Sequence, residues 1–150
     1  MLDSTERETL ILIARRSIES ALEGTPMQWP EIPESLHRPA GAFVTLTIEG
    51  ELRGCIGTIF PVSSLCQAVA ENARHAAFDD PRFPLLTLEE YRGVEVEISV
   101  MGPVTRVADP AEIEVGRDGL IFSLGARKGL LLPQVATEYG WDRETFLRHT

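Results

Sequence analysis

The chain has 150 residues, with 23 acidic side chains against 14 basic ones and a formal net charge of −9. That length suits one domain able to bury roughly two-thirds of its unfolded surface. No apolar run approaches the roughly 20 residues of a membrane span. The acidic balance argues against nucleic acid, whose phosphates need a positive footprint. The opening Met1-Leu2-Asp3-Ser4-Thr5-Glu6 lacks the basic flank and apolar run of a signal peptide, so a cytoplasmic location is expected. The two cysteines, Cys55 and Cys66, are then expected to be reduced thiols. All basic residues but Lys128 are arginines, which suit bidentate recognition of carboxylate or phosphate.

Residues 4–22 have the periodicity of an amphipathic helix, with Leu10, Ile11, Ile13, Ala14, Ile18 and Leu22 near one face. Thr5 and Glu8 form a capping-box pattern at its start, and Gly24 then Pro26 end it. Arg15 and Arg16 are assigned to the solvated face. Residues 25–40 carry four prolines and are expected to form an irregular ordered loop, held to the surface by Trp29. Residues 42–48 alternate and are β-branched, which predicts a strand. Glu49-Gly50-Glu51 is the turn into a return strand at 52–60, so Cys55 lies in a hairpin. Ser63 or Ser64 caps a helix to about Phe78, in which Cys66 reads as a small packing residue. Thr87 starts a short helical turn, and residues 94–100 alternate as a second clear strand. Residues 113–115 and 119–124 are expected to be short strands. Residues 125–129 form a basic glycine loop, read as a hairpin turn, and 130–132 end a buried strand. Pro133 opens a helix that Gly140 stops, and Asp142 caps a last helix.

The stretch Leu52-Arg53-Gly54-Cys55-Ile56-Gly57-Thr58 carries the most chemistry. In a regular strand Arg53 and Cys55 share one face, while Leu52 and Ile56 point the other way. A cation beside a thiol lowers its pKa and favours thiolate. Two glycines inside a strand imply a bulge or the close approach of another backbone or a ligand. Asp79 and Asp80 break a local rule, because carboxylates at a helix C-terminus face the negative end of its dipole. Either arginines such as Arg53, Arg74 or Arg82 neutralise them, or they serve a site. His75 stands one turn before Asp79.

That heptapeptide resembles the signature of the AMMECR family. The similarity extends to residues 41–46, 80–85, 119–121 and 131–135, and to Gly140-Trp141-Asp142 with Phe146-Leu147. The resemblance implies an α+β fold, with antiparallel strands packed with helices in two unequal lobes and a cleft at the signature. Family members usually continue through another helix and strand, so residues 1–150 are expected to form a single domain truncated at its C-terminal end. Prokaryotic members resemble one component of a three-part AmmeMemoRadiSam system, which implies a MEMO-like protein and a radical S-adenosylmethionine protein as partners. No cofactor is implied for this component.

Three functional readings follow, and whether the protein is an enzyme stays open. In the first, the chain is a binding or regulatory module for a small anionic ligand or a partner protein, with Arg53, Gly54, Gly57, Thr58 and Arg82 as the ligand-binding group. In the second, Cys55 is the nucleophile of an enzyme or a covalent carrier in a modification pathway, with His75, Asp79 or Asp80 as base or orienter. In the third, Cys55, His75 and Asp79 or Asp80 hold a metal ion.

Overall fold

The computed structural model describes residues 2–124 and 127–150, apart from the side chains of Phe122 and Lys128. They form two compact units, one ending at Val104 and the other spanning Thr105–Thr150. The described elements are helices and antiparallel strands, an α+β fold.

The first unit opens with helix α1 (Ser4–Glu23). Asp3, not Thr5, is its cap: the Asp3 carboxylate accepts the Glu6 N–H at 2.8 Å, and Glu6 accepts the Asp3 N–H at 2.9 Å. Both D-x-x-E and T-x-x-E patterns are available, and the earlier one adds helical bonds. Gly24 ends the helix in the left-handed region at φ 68°. Leu10, Ile13 and Ile18 are fully buried, each stabilising the fold by about 1.5–3 kcal/mol. Arg15 and Arg16 are not simply solvated: Arg15 donates to the Val94 carbonyl at 2.7 Å and Arg16 to the Gln28 carbonyl at 3.1 Å. The proline-rich stretch contains a short 3-10 turn, Glu34–His37. Its anchor is the fully buried Leu36, whereas Trp29 stays 42% exposed.

Strands β1 (Ala42–Ile48) and β2 (Glu51–Thr58) form a hairpin over a two-residue turn. Both turn residues have positive φ, Glu49 at 52° and Gly50 at 80°, which matches the twist of the strands. Strand β3 (Val94–Val100) pairs antiparallel on the other side of β1, giving the order β2-β1-β3. Helix α2 (Leu65–Phe78) is capped by Ser64 and packs on β1, β2 and α1. Its buried side is mostly alanine, which lets it approach the hairpin closely. A Cβ on Gly54 would run into the Ala76 carbonyl, which is the physical reason for glycine there. A short helix α3 (Leu88–Tyr91) with a Thr87–Glu90 capping box leads into β3.

The second unit has its own small core of Ile113, Leu120, Ala136 and Phe146. Strands β4 (Leu120–Leu124) and β5 (Arg127–Leu131) pair antiparallel, followed by helices α4 (Pro133–Tyr139) and α5 (Arg143–His149). Residues 113–115 are not a strand. The Asp109 carboxylate caps a 3-10 turn, Pro110–Glu112, that delivers Ile113 to the core as a single buried side chain. Gly125 and Ala126 of the expected glycine loop lie outside the described residues, and Arg127 and Gly129 belong to β5. Gly140 at φ 65° and the Asp142 cap stand where the sequence pattern puts them.

Candidate functional site

Cys55 sits on the edge strand β2, paired with Thr45 of β1. Thr45 also pairs with Glu97 of β3. An antiparallel residue alternates its backbone bonds between neighbours, so a residue bonded to one strand leaves the other as a non-hydrogen-bonded pair with closer side chains. Cys55 Sγ accordingly lies 3.2 Å from Thr45 Oγ1. The thiol is half-buried on the sheet face opposite the one that α1 and α2 cover.

The backbone of Cys55 therefore points away from β1, at the free edge of the sheet. Side chains meet it there in place of a further strand. Asp80 accepts the Cys55 N–H at 3.0 Å, and Arg82 reaches the Cys55 carbonyl at 3.4 Å. Asp80 and Arg82 also grip each other through two bonds, Nε to Oδ1 at 3.0 Å and Nη2 to Oδ2 at 2.7 Å. The Arg82 N–H adds a bond to Oδ1 at 3.1 Å. Asp80 is 4% exposed. The Arg82 guanidinium holds its carboxyl far below the usual carboxylate range, and the N–H groups of Cys55 and Arg82 add to this against the opposing effect of burial. Arg82 is pushed up, chiefly by its bond to Asp80.

Arg53 does not share the Cys55 face. The register shifts between Leu46 and Thr47: Leu46 pairs with Gly54 but Thr47 pairs with Leu52, so Arg53 is the extra residue of a β-bulge. Leu52 moves to the Cys55 side, and Arg53 turns into the interior. There Arg53 Nε and Nη2 bond the two Glu90 oxygens at 2.8 and 3.2 Å, and Nη2 also donates to the Pro84 carbonyl at 2.8 Å. Its Nη1 is buried without a partner among the described residues. Glu90 is held down to about 2, first by Arg53 and then by the Thr87 N–H. Phe83 lies between the two arginines, with the Arg53 and Arg82 guanidinium carbons 5.7 and 5.5 Å from its ring centre.

The structure thus gathers Cys55, Asp80 and Arg82, and turns Arg53 away to Glu90. His75 and Asp79 face each other at 4.0 Å on the exposed end of α2. Asp80 has its oxygens committed to Arg82 and to the Cys55 N–H. Among the described residues no three His, Cys, Asp or Glu side chains stand together as a metal site. The Phe43 ring occupies the space that a Cβ on Gly57 would need. Thr58 Oγ1 accepts Asn72 Nδ2 at 3.2 Å, and the same amide bonds the Ala42 carbonyl at 3.1 Å, tying α2 to the open end of the hairpin. Sequence reasoning missed Thr45, Glu90 and Asn72. Only the T-x-x-E pattern of Thr87 and Glu90 marked one of them, and it marked a helix cap.

Comparison with known proteins gives a single answer. The AMMECR1 family model matches residues 11–150. A protein of Methanothermobacter thermautotrophicus is 47% identical, the match covering 99% of this chain and 82% of that one. Protein PF1979 of Pyrococcus furiosus is 46% identical over 95% of this chain and 74% of its own length. The crystal structure of the uncharacterized protein PH0010 from Pyrococcus horikoshii superposes with a TM-score of 0.92 at 42% identity, covering 99% of this chain and 79% of that one.

Proposed function

The chain belongs to the AMMECR1 family, and from that premise we propose that it is a binding module whose contact surface is the outer sheet face around Cys55, acting with MEMO-like and radical S-adenosylmethionine proteins. One observation carries the reading: Asp80, the carboxylate that meets Cys55, is spent on clamping its backbone. Such a carboxylate is a poor proton acceptor, and a thiol without a base lacks the usual activation of a nucleophile. Arg53 and Arg82 are each paired with a carboxylate, which leaves little net positive charge for a small anion and favours a partner protein over one. The rigid clamp and the exposed Leu52 and Glu97 on the same face suit a preorganised contact surface.

The test is titration of the chain with MEMO-like and radical S-adenosylmethionine proteins from one genome, followed by calorimetry. Leu52→Asp should weaken binding at least about tenfold, and Cys55→Ala should leave it within about twofold. Binding unchanged by Leu52→Asp contradicts the reading. The alternative, chemistry at Cys55, draws support from the Arg82 guanidinium beside it. It predicts rapid alkylation of Cys55 in the native state, against slow alkylation of a thiol that only packs.

A further inference from the structure

Among the described residues, the thiol that meets an imidazole is Cys66 and not Cys55. Cys66 stands in the first turn of the 14-residue helix α2, two positions after its cap Ser64. Its Sγ lies 3.8 Å from His37 Nδ1 and 3.4 Å from Ser64 Oγ. Ser64 Oγ accepts the Gln67 N–H at 3.3 Å, which leaves its own hydrogen to point at the sulfur. A helix N-terminus carries partial positive charge, which favours negative charge building on a sulfur there. Nucleophile, proton acceptor and hydroxyl donor stand together, the arrangement by which a thiol is activated. Packing asks for no such set: the later buried positions 68, 70, 73, 76 and 77 of the same helix are alanine. The sulfur also sits at a seam. The segment before β1 is fastened to the start of α2 by the Leu65 N–H to the Arg38 carbonyl at 2.8 Å and the Ala40 N–H to the Ser63 carbonyl at 3.3 Å, with a bridge pairing Pro39 and Ser64. His37 ends the single 3-10 turn Glu34–His37, where the Arg38 N–H bonds the Ser35 carbonyl at a long 3.5 Å. Short elements of this kind open locally at a lower free energy than the whole fold, which gives small reagents a route to a sulfur that is 4% exposed.

We propose that Cys66 and His37 form a thiol–disulfide exchange site for small disulfides, seated at the seam between the 3-10 turn and α2. The Cys66 thiol passes its proton to His37 Nδ1 as the sulfur attacks one sulfur of the disulfide. A new S–S bond forms at Cys66 and the old one breaks. The departing thiolate takes the proton from His37 and leaves as a thiol, so Cys66 is oxidised by the two electrons that reduce the disulfide. The adduct adds bulk between Ser64 and His37, and it parts the seam and loosens residues 34–40.

The probe is hydroxyethyl disulfide, small and uncharged, with adducts on the folded chain mapped over time by mass spectrometry. The expected result is an adduct on Cys66 in the native chain and in Cys55→Ala, with faster amide exchange at Leu65 once it has formed. His37→Ala should slow adduct formation at least about tenfold, as the loss of a positioned proton acceptor does, and added imidazole should restore part of the rate. If His37 only covers the sulfur, its removal opens the way and speeds the reaction. A destabilised variant opens more often and does the same. A rate that rises or holds in His37→Ala therefore overturns the proposal. So does a Cys66 that stays unmodified in the native chain over a time in which the chain unfolded in urea reacts fully. An adduct that leaves Leu65 exchange unchanged overturns the parting of the seam.

Discussion

The two edges of one three-stranded sheet are finished in opposite ways. At the β2 edge the outward groups of Cys55 are met by Asp80 and Arg82 from the loop after α2. At the β3 edge the outward carbonyl of Val94 is met by Arg15, and Val96, Ile98 and Val100 beyond it line a groove. An unpaired edge is a template for another strand, and proteins commonly close it with charged side chains. Here the closure is selective. It falls at the thiol, where it fixes backbone position and engages both oxygens of Asp80, and among the described residues it does not extend past Val94 on the β3 edge.

Removing the clamp breaks this contrast most severely. Asp80→Ala strands the Cys55 N–H and the buried parts of Arg82. Because the Arg82 side chain is 54% exposed, its charge regains water and the ion pair itself counts for little. The expected loss is about 2–3 kcal/mol, read as a lower urea midpoint. Asp80→Asn keeps an acceptor and should cost about half as much.

Acid should act on the closed edge in the same direction. Asp80 and Glu90 both have folded pKa values depressed below their unfolded values near 4. Their contribution is fully present above the unfolded values and is lost as pH falls through the folded ones. Stability should therefore stay level from pH 7 to about 5 and fall as the pH drops from about 4 through 2. Thermal melts across that range should show a shallower fall in Asp80→Asn. An equal fall in both proteins would remove Asp80 from the account.

The smallest effect belongs to the β3 edge. Arg15→Ala frees the Val94 carbonyl and removes a guanidinium lying 5.5 Å from the Tyr91 ring centre. It should cost about 1 kcal/mol in urea unfolding, and it should leave the exchange rate of the Cys55 amide unchanged.

The sequence announces the elements of this sheet far better than its edges. Alternation in 42–48 and 94–100, the Gly50 bend and the Ser64 cap are local signals, and each element stands close to its expected place. Its pairings are non-local. Nothing in Leu52-Arg53-Gly54-Cys55 marks Arg53 as a bulge, because a bulge is a mismatch with the facing strand and only Thr47 reveals it. The consequence is an exchange of arginines: Arg53, two residues from the thiol, leaves it for Glu90, while Arg82, far along the chain, takes the place at Cys55. The sequence does expose Asp80 as a rule-breaker, since Pro81 and the helix end beside it make a carboxylate costly there. It could not say whether that carboxylate serves chemistry or closure, which depends on the direction of one backbone N–H. The cavity beside β3 was illegible for the same reason: it is bounded by residues almost a hundred positions apart.

Amide hydrogen exchange by NMR tests the central claim most directly, by comparing the Cys55 N–H with the N–H of Ile98 in the free protein. Both point away from the centre of the sheet. The account predicts that Cys55, bonded to a buried carboxylate, exchanges at least about 100-fold more slowly than Ile98, and that Asp80→Ala erases the difference. Equal exchange rates at the two positions in the unaltered chain would contradict it, because the edge at Cys55 would then be open and Asp80 free to serve the thiol.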